Sequence, residues 1–199
     1  ALDIEGRLTL CNMSIEWGAR TGLIAPDEKT FAWVKGRPYA PVGAQWEAAL
    51  AGWRSLKTDP GAAFDLEHMI DCSVLEPQIT WGTNPGQVIG ISDPVPDPSS
   101  VEPAKRDAFV HALDYMGLTA GQPIAGLPVD AVFIGSCNNA RLSDLEEVAS
   151  IVRGKKIAGG MRALIVPGSS GVKRAAEAKG LDKIFTDAGF QWGASGCSM

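Results

Sequence analysis

The most constraining feature of this sequence is an alternation in its last third. An apolar run at residues 130–136 (DAVFIGS) precedes an amphipathic stretch at 142–153. A second apolar run at 162–166 precedes helical patterns at 172–179 and 181–188. Fully apolar strands joined through helices by short loops predict a parallel sheet covered by helices. Ligands of such sheets collect at the carboxyl ends of the strands. Two such ends are visible, Gly135-Ser136-Cys137-Asn138-Asn139 and Pro167-Gly168-Ser169-Ser170-Gly171. The first sets a thiol at the mouth of the crevice, at or near a predicted helix N-terminus, where thiolate is favoured. A tight turn with an incidental cysteine accounts for that position equally well. The second lacks the phosphate-loop and dinucleotide patterns, so a structural strand–helix turn is the better reading there than an anion cradle.

The earlier part is less regular. Residues 6–10 alternate as in a short strand, and 12–22 read as a helix capped by Asn12 and stopped by Gly22. On that helix Asn12 and Glu16, four apart, share a face; taken alone they read as a cap and a solvated carboxylate. Helices are expected at 28–35, 45–56 and 105–116, the last stopped by Gly117. Alternation predicts a strand over 64–72, continuing after a break into 78–81. Between 82 and 103 Pro, Gly, Asn, Asp and Ser predict a long ordered loop, with 88–91 its only strand-like patch.

A chain of 199 residues with 45% hydrophobic and 21% charged residues can bury a substantial core. The net charge of −5 is spread over interspersed acids and bases, which argues against a nucleic-acid face or an acidic tail. No apolar run is long enough to cross a bilayer, and residues 1–5 (ALDIE) lack the pattern of a signal peptide. Cys11, Cys72, Cys137 and Cys197 are widely spaced, with no complete C-x-x-C, which suits reduced thiols in a cytoplasmic enzyme better than a disulfide scaffold. Cys11 and Cys72 are expected to be buried and structural. His68 and His111 have no metal-ligand spacing around them and read as structural. The six tryptophans read as core or interface packing.

Taken in order, the segments CNMSIEWGARTGLIAPDEKTF, KGRPYAP, WRSLKTDPGAAFD, LEPQITWGTNPGQV, PVPDP, VFIGSCNNARLSDLEEVA and VPGSSGVKRAAEAKGLDKIFTDAGFQW, ending in GCSM, span essentially the whole chain. Together they resemble the large-subunit family of 3-isopropylmalate dehydratases, in the aconitase superfamily. The resemblance implies a fragment of aconitase-type three-layer α/β/α domains with a mostly parallel sheet. It places the end of one domain at residues 1–73 and the first part of the next at 74–199. It also implies a 4Fe–4S cluster held by three cysteine thiolates, the first in a G-S-C-T-N motif and the others in a G-C-x-x-C. Cys137 matches the first and Cys197 the second, and the third would fall at position 200. Glu16 matches the family glutamate that contacts the hydroxyl or water at the cluster, and Asn12 the asparagine beside it.

The reaction so implied moves water across 2-isopropylmalate to give 3-isopropylmalate in leucine biosynthesis, with a separate small subunit supplying the serine base. Asn138 stands in place of the usual Thr, Ala140 where Ser is common, and Ser169-Ser170-Gly171-Val172 in place of the common G-S-G-x-V, which keeps a homoaconitase or a citraconate hydratase open as alternatives. This chain carries two of the three matching thiols. Alone it is therefore expected to hold no stable cluster and to be inactive, and a non-catalytic, cluster-free folded fragment is a further alternative.

Overall fold

Seven helices and five strands follow one another in a computed structural model that describes residues 2–196. In chain order they are α1 (Ile4–Met13), α2 (Glu28–Val34), α3 (Ala44–Arg54), β1 (Gln78–Thr80), β2 (Val88–Gly90), α4 (Pro103–Met116) and β3 (Ala131–Gly135). After these come α5 (Leu142–Val152), β4 (Arg162–Val166), α6 (Ser170–Ala178), α7 (Leu181–Ala188) and β5 (Gln191–Trp192). The chain divides into two compact units, one built from residues 1–63 with 129–199 and the other from 64–128.

In the first unit β3, β4 and β5 form a parallel sheet in that order, with Gly135 opposite Val166 and Ile165 opposite Trp192. Side chains alternate across it. Ala163 and Ile165 point into a core with Leu145 of α5, Ala176 of α6, and Leu181, Phe185 and Ala188 of α7. Phe185, fully buried, stacks on Trp192 at 5.7 Å and meets Phe190 edge-on at 6.2 Å. The other face carries Phe133 and Leu164 over a hollow of 270 Å³ lined by sheet residues alone. This is the expected α/β arrangement in partial form, with one helical layer supplied by the helices after β3.

The same unit contains α1–α3. Phe31 and Trp46 are buried there, and Trp53 stacks on the first at 6.0 Å and meets the second edge-on at 5.7 Å. Arg7 of α1 grips Asp27, the cap of α2, through two nitrogens at 2.8 and 2.7 Å. That guanidinium, with the amides of Thr30 and Lys29, holds the Asp27 carboxyl far below the usual carboxylate range.

The second unit is small. β1 and β2 pair antiparallel, and Trp81, Val95, Ala112, Leu113 and Ile124 form its core. Trp81 and Phe109 lie 4.5 Å apart. The long segment from 82 to 103 is ordered by its own side chains: Gln87 Oε1 accepts from the amides of Thr83 and Asn84, and Asp93 from that of Gly90.

Several expectations need correction. Residues 6–10 are helical, because Asp3 caps the helix by accepting from Gly6 N at 2.7 Å and so starts it earlier than the alternation suggested. The helix ends at Met13, where Ser14 Oγ bonds back to the Leu10 carbonyl at 2.7 Å. Residues 15–18 then turn, closed by Gly18 N on the Ile15 carbonyl. Asn12 is thus the penultimate residue of a helix rather than its cap, and Glu16 lies beyond the end, so the two do not share a helical face. Residues 64–71 form no strand, since nothing pairs with them; a single 3-10 turn, Cys72–Val74, comes next. Cys72 is exposed and Cys11 half-buried, so neither is the buried structural thiol expected. His111 lies on the exposed side of α4 and His68 in the exposed run before the 3-10 turn.

Candidate functional site at the ends of the parallel strands

The loop after β3 carries Cys137, exposed, two residues beyond the last strand residue. Its neighbours are held tightly. Ser136 Oγ accepts from the amides of Asn138 and Asn139, at 3.2 and 2.7 Å, and donates to the Asn139 carbonyl at 2.9 Å. Those amides are therefore spent inside the turn. The next helix starts only at Leu142, with Asp144 Oδ2 accepting from Arg141 N at 3.0 Å. Cys137 stands ahead of that helix rather than in its first turn.

The approach of β3 to β4 at this point depends on glycine. Gly135 has φ +154°, and a Cβ there would lie 2.6 Å from the Val166 carbonyl oxygen. Gly168, just past β4, would meet the Ser136 carbonyl at 2.9 Å, and its own N–H bonds the Ala140 carbonyl at 3.0 Å. The two strand-end loops thus touch through backbone.

A third segment arrives at the same edge. After β5, Gly193 N bonds the Ile165 carbonyl at 2.9 Å and Gly196 N bonds the Pro167 carbonyl at 3.2 Å. Ser195 and Ser170 hydroxyls are 3.0 Å apart, and Lys173 Nζ donates to the Gly193 carbonyl at 3.0 Å. Gly196 is the residue before Cys197, which itself lies outside the described residues. The Pro167–Gly171 loop behaves as a strand–helix turn: Ser169 caps α6 by accepting from Val172 N. It also serves as the docking edge for residues 193–196.

Helix α1 reaches this site as well. Thr9 Oγ1 donates to Asn139 Oδ1 at 3.0 Å, and Arg141 donates to the Glu5 carbonyl at 2.5 Å and to Asn138 Oδ1 at 3.3 Å. Ser143 and Glu5 also pair. Asn12 is three residues after Thr9, about one turn further along α1, and is exposed. Glu16 sits exposed in the turn beyond. The structure therefore brings the helix of Asn12 to the loop of Cys137 and leaves Glu16 outside those contacts.

Sequence reasoning passed over Thr9, Arg141 and Lys173. Nothing local signals the contacts of the first two with partners 130 and 136 positions away. Lys173 had a visible partner in Glu177, four residues on. Of the departures from the family pattern, Asn138 is engaged by Arg141, Ala140 is 3% exposed with its carbonyl used by Gly168, and Ser169 caps α6. Among the described residues no group of three or more His, Cys, Asp or Glu is gathered for a metal ion, and no helix is long and apolar enough to cross a membrane.

The family pattern described as aconitase family (aconitate hydratase) matches residues 1–199. A relative named 3-isopropylmalate dehydratase large subunit 1, from Bradyrhizobium diazoefficiens, is 59% identical over 199 residues. That match takes in all of this chain, which spans 42% of the relative's length.

Proposed function

Since the chain belongs to the aconitase family, we propose that it is part of the large subunit of a 4Fe–4S hydro-lyase interconverting 2-isopropylmalate and 3-isopropylmalate in leucine biosynthesis. The observation that carries this reading is the 59% identity, over the full 199 residues, to a relative named 3-isopropylmalate dehydratase large subunit 1. Within the parent, residues 1–73 close one aconitase-type domain and 74–199 open the next. A small subunit is its partner and completes the site.

The donor chemistry fits. Cysteine thiolates are the ligands iron–sulfur clusters take. One candidate, Cys137, is exposed at the end of β3, and the backbone preceding the other, Cys197, is tied at Gly196 to the end of β4. These strands are adjacent and parallel, so both segments reach one edge of the sheet. Cys137 and Cys197 would supply two of the thiolates that hold such a cluster. When bound, the cluster supplies Lewis acidity toward the hydroxyl and carboxylate of a 2-hydroxy diacid.

The chain's own residues do the rest of what this half-site contributes. Asn12, exposed on the helix that contacts the Cys137 loop through Thr9, orients polar groups of the substrate. Glu16 gives a proton to the departing hydroxyl, which leaves as water, and takes a proton from water on re-addition, a general acid–base role. The base that takes the carbon-bound proton comes from the small subunit.

The test is turnover by the full-length parent with its small subunit, prepared anaerobically, on a panel of 2-hydroxy diacids. Isomerisation of isopropylmalate above all others is expected. Preference for homoisocitrate or for citraconate hydration would overturn the substrate assignment, and absence of iron and sulfide in an otherwise folded parent would overturn the chemistry.

A further inference from the structure

Lys173, on α6, makes three contacts beside the end of β5. Its Nζ donates to the Gly193 carbonyl at 3.0 Å, pairs with Glu177 at 3.0 Å and lies 4.7 Å from the centre of the Trp192 ring. Glu177 in turn accepts from Trp192 Nε1 at 3.0 Å. The Lys173 side chain is 27% exposed, so this group of contacts is partly shielded from water. β5 is only two residues long, and its ladder reaches no further than Trp192 opposite Ile165. Beyond that, residues 193–196 are held by Gly193 N, Gly196 N and the two serine hydroxyls. A two-residue strand is a weak anchor, and Lys173 reinforces it where it ends.

We infer that Lys173 is a positioning residue: it fixes the run from Gly193 to Gly196, and so the backbone that leads into the cluster cysteine Cys197. This rests on the proposed cluster chemistry. It adds to that reading the side chain that holds one ligand-bearing segment against the sheet. The ammonium suits this work because one group serves a carbonyl, a carboxylate and a ring face from different directions. Groups that orient metal ligands from outside the coordination sphere change metal retention strongly when removed.

The experiment uses the full-length parent with its small subunit. Lys173→Met keeps the stem over Trp192 and removes the donor; Lys173→Arg restores a donor. Iron release to a chelator is measured after anaerobic loading, and amide exchange of residues 193–196 is measured in the cluster-free protein. Lys173→Met is expected to release iron about tenfold faster than the parent. Its amides at Gly193 and Gly196 should exchange faster while amides of β3 and α7 keep their parent rates, and Lys173→Arg should return both readouts toward parent values. Equal iron release and equal exchange in the three proteins would overturn the inference. Faster exchange throughout the unit would do so too, as the mark of general stability. Should Lys173→Met not fold, Lys173→Gln takes its place under the same criteria. A parent that takes up no iron would overturn the cluster reading and with it the positioning role toward a cluster ligand. The exchange data would still report separately whether Lys173 holds residues 193–196.

Discussion

Replacing Gly135 with alanine tests whether β3 and β4 approach at the site as closely as the backbone geometry requires. The new Cβ would lie 2.6 Å from the Val166 carbonyl oxygen and 3.0 Å from the Val166 Cβ, at a residue with φ +154°. Contacts of that kind stay beyond 3.0 Å, so the strand ends must part by several tenths of an ångström. Overpacking of this sort costs about 1–3 kcal/mol, and holding a non-glycine residue in that backbone region costs about 1–3 kcal/mol more. The combined loss is about 2–6 kcal/mol, a large share of a domain's net stability. Gly52, inside α3, provides the opposite case, because a Cβ there meets nothing within 4 Å. Alanine at that position should stabilise by about 0.5–1 kcal/mol through helix propensity alone. Urea unfolding of both variants, monitored by tryptophan fluorescence, should therefore move the midpoint in opposite directions. A Gly135→Ala midpoint at or above that of the unaltered chain would refute the close approach.

Three further outcomes are expected. Phe185→Ala removes a fully buried ring from between Phe190 and Trp192 and should cost about 3–5 kcal/mol in the same unfolding assay; a loss under about 1 kcal/mol would mean that the ring is not packed in the core. The Asp27 carboxyl is held below its unfolded value, chiefly by the hydrogen bond from Arg7. Its contribution is therefore fully present above a pH of about 4 and fades as pH falls from there toward the folded value. Arg7→Met should move the carboxyl's NMR titration to higher pH, and an unmoved titration would disprove the link. In the full-length parent with its small subunit, Cys137→Ser should lower iron content after anaerobic reconstitution while Cys72→Ser leaves it unchanged; equal iron in both would remove Cys137 as a ligand.

Where local signals agreed, the sequence was enough. β4 and α7 occur where expected, residue for residue, because the apolar run Ala163–Val166 is driven into the sheet and glycines at 180 and 189 bracket the helix in left-handed conformations. The order of segments likewise identified the family and the chemistry-bearing residue types before any fold was considered. Alternation over a few residues was not enough at 6–10, where Asp3 capped a helix, nor at 64–71, where a strand had no neighbour to pair with. A strand exists only through its partner, which local pattern does not supply.

Cys137, Asn12 and Glu16 could each be named from the order of residues, because side-chain chemistry and motif order are local properties. Which of them come together was decided by tertiary structure. Pairing of Gly135 with Val166, docking of Gly196 on Pro167 and the Thr9–Asn139 bond bring distant segments to one edge of the sheet. Each depends on backbone groups and glycine clearances that acquire partners only when the chain closes on itself.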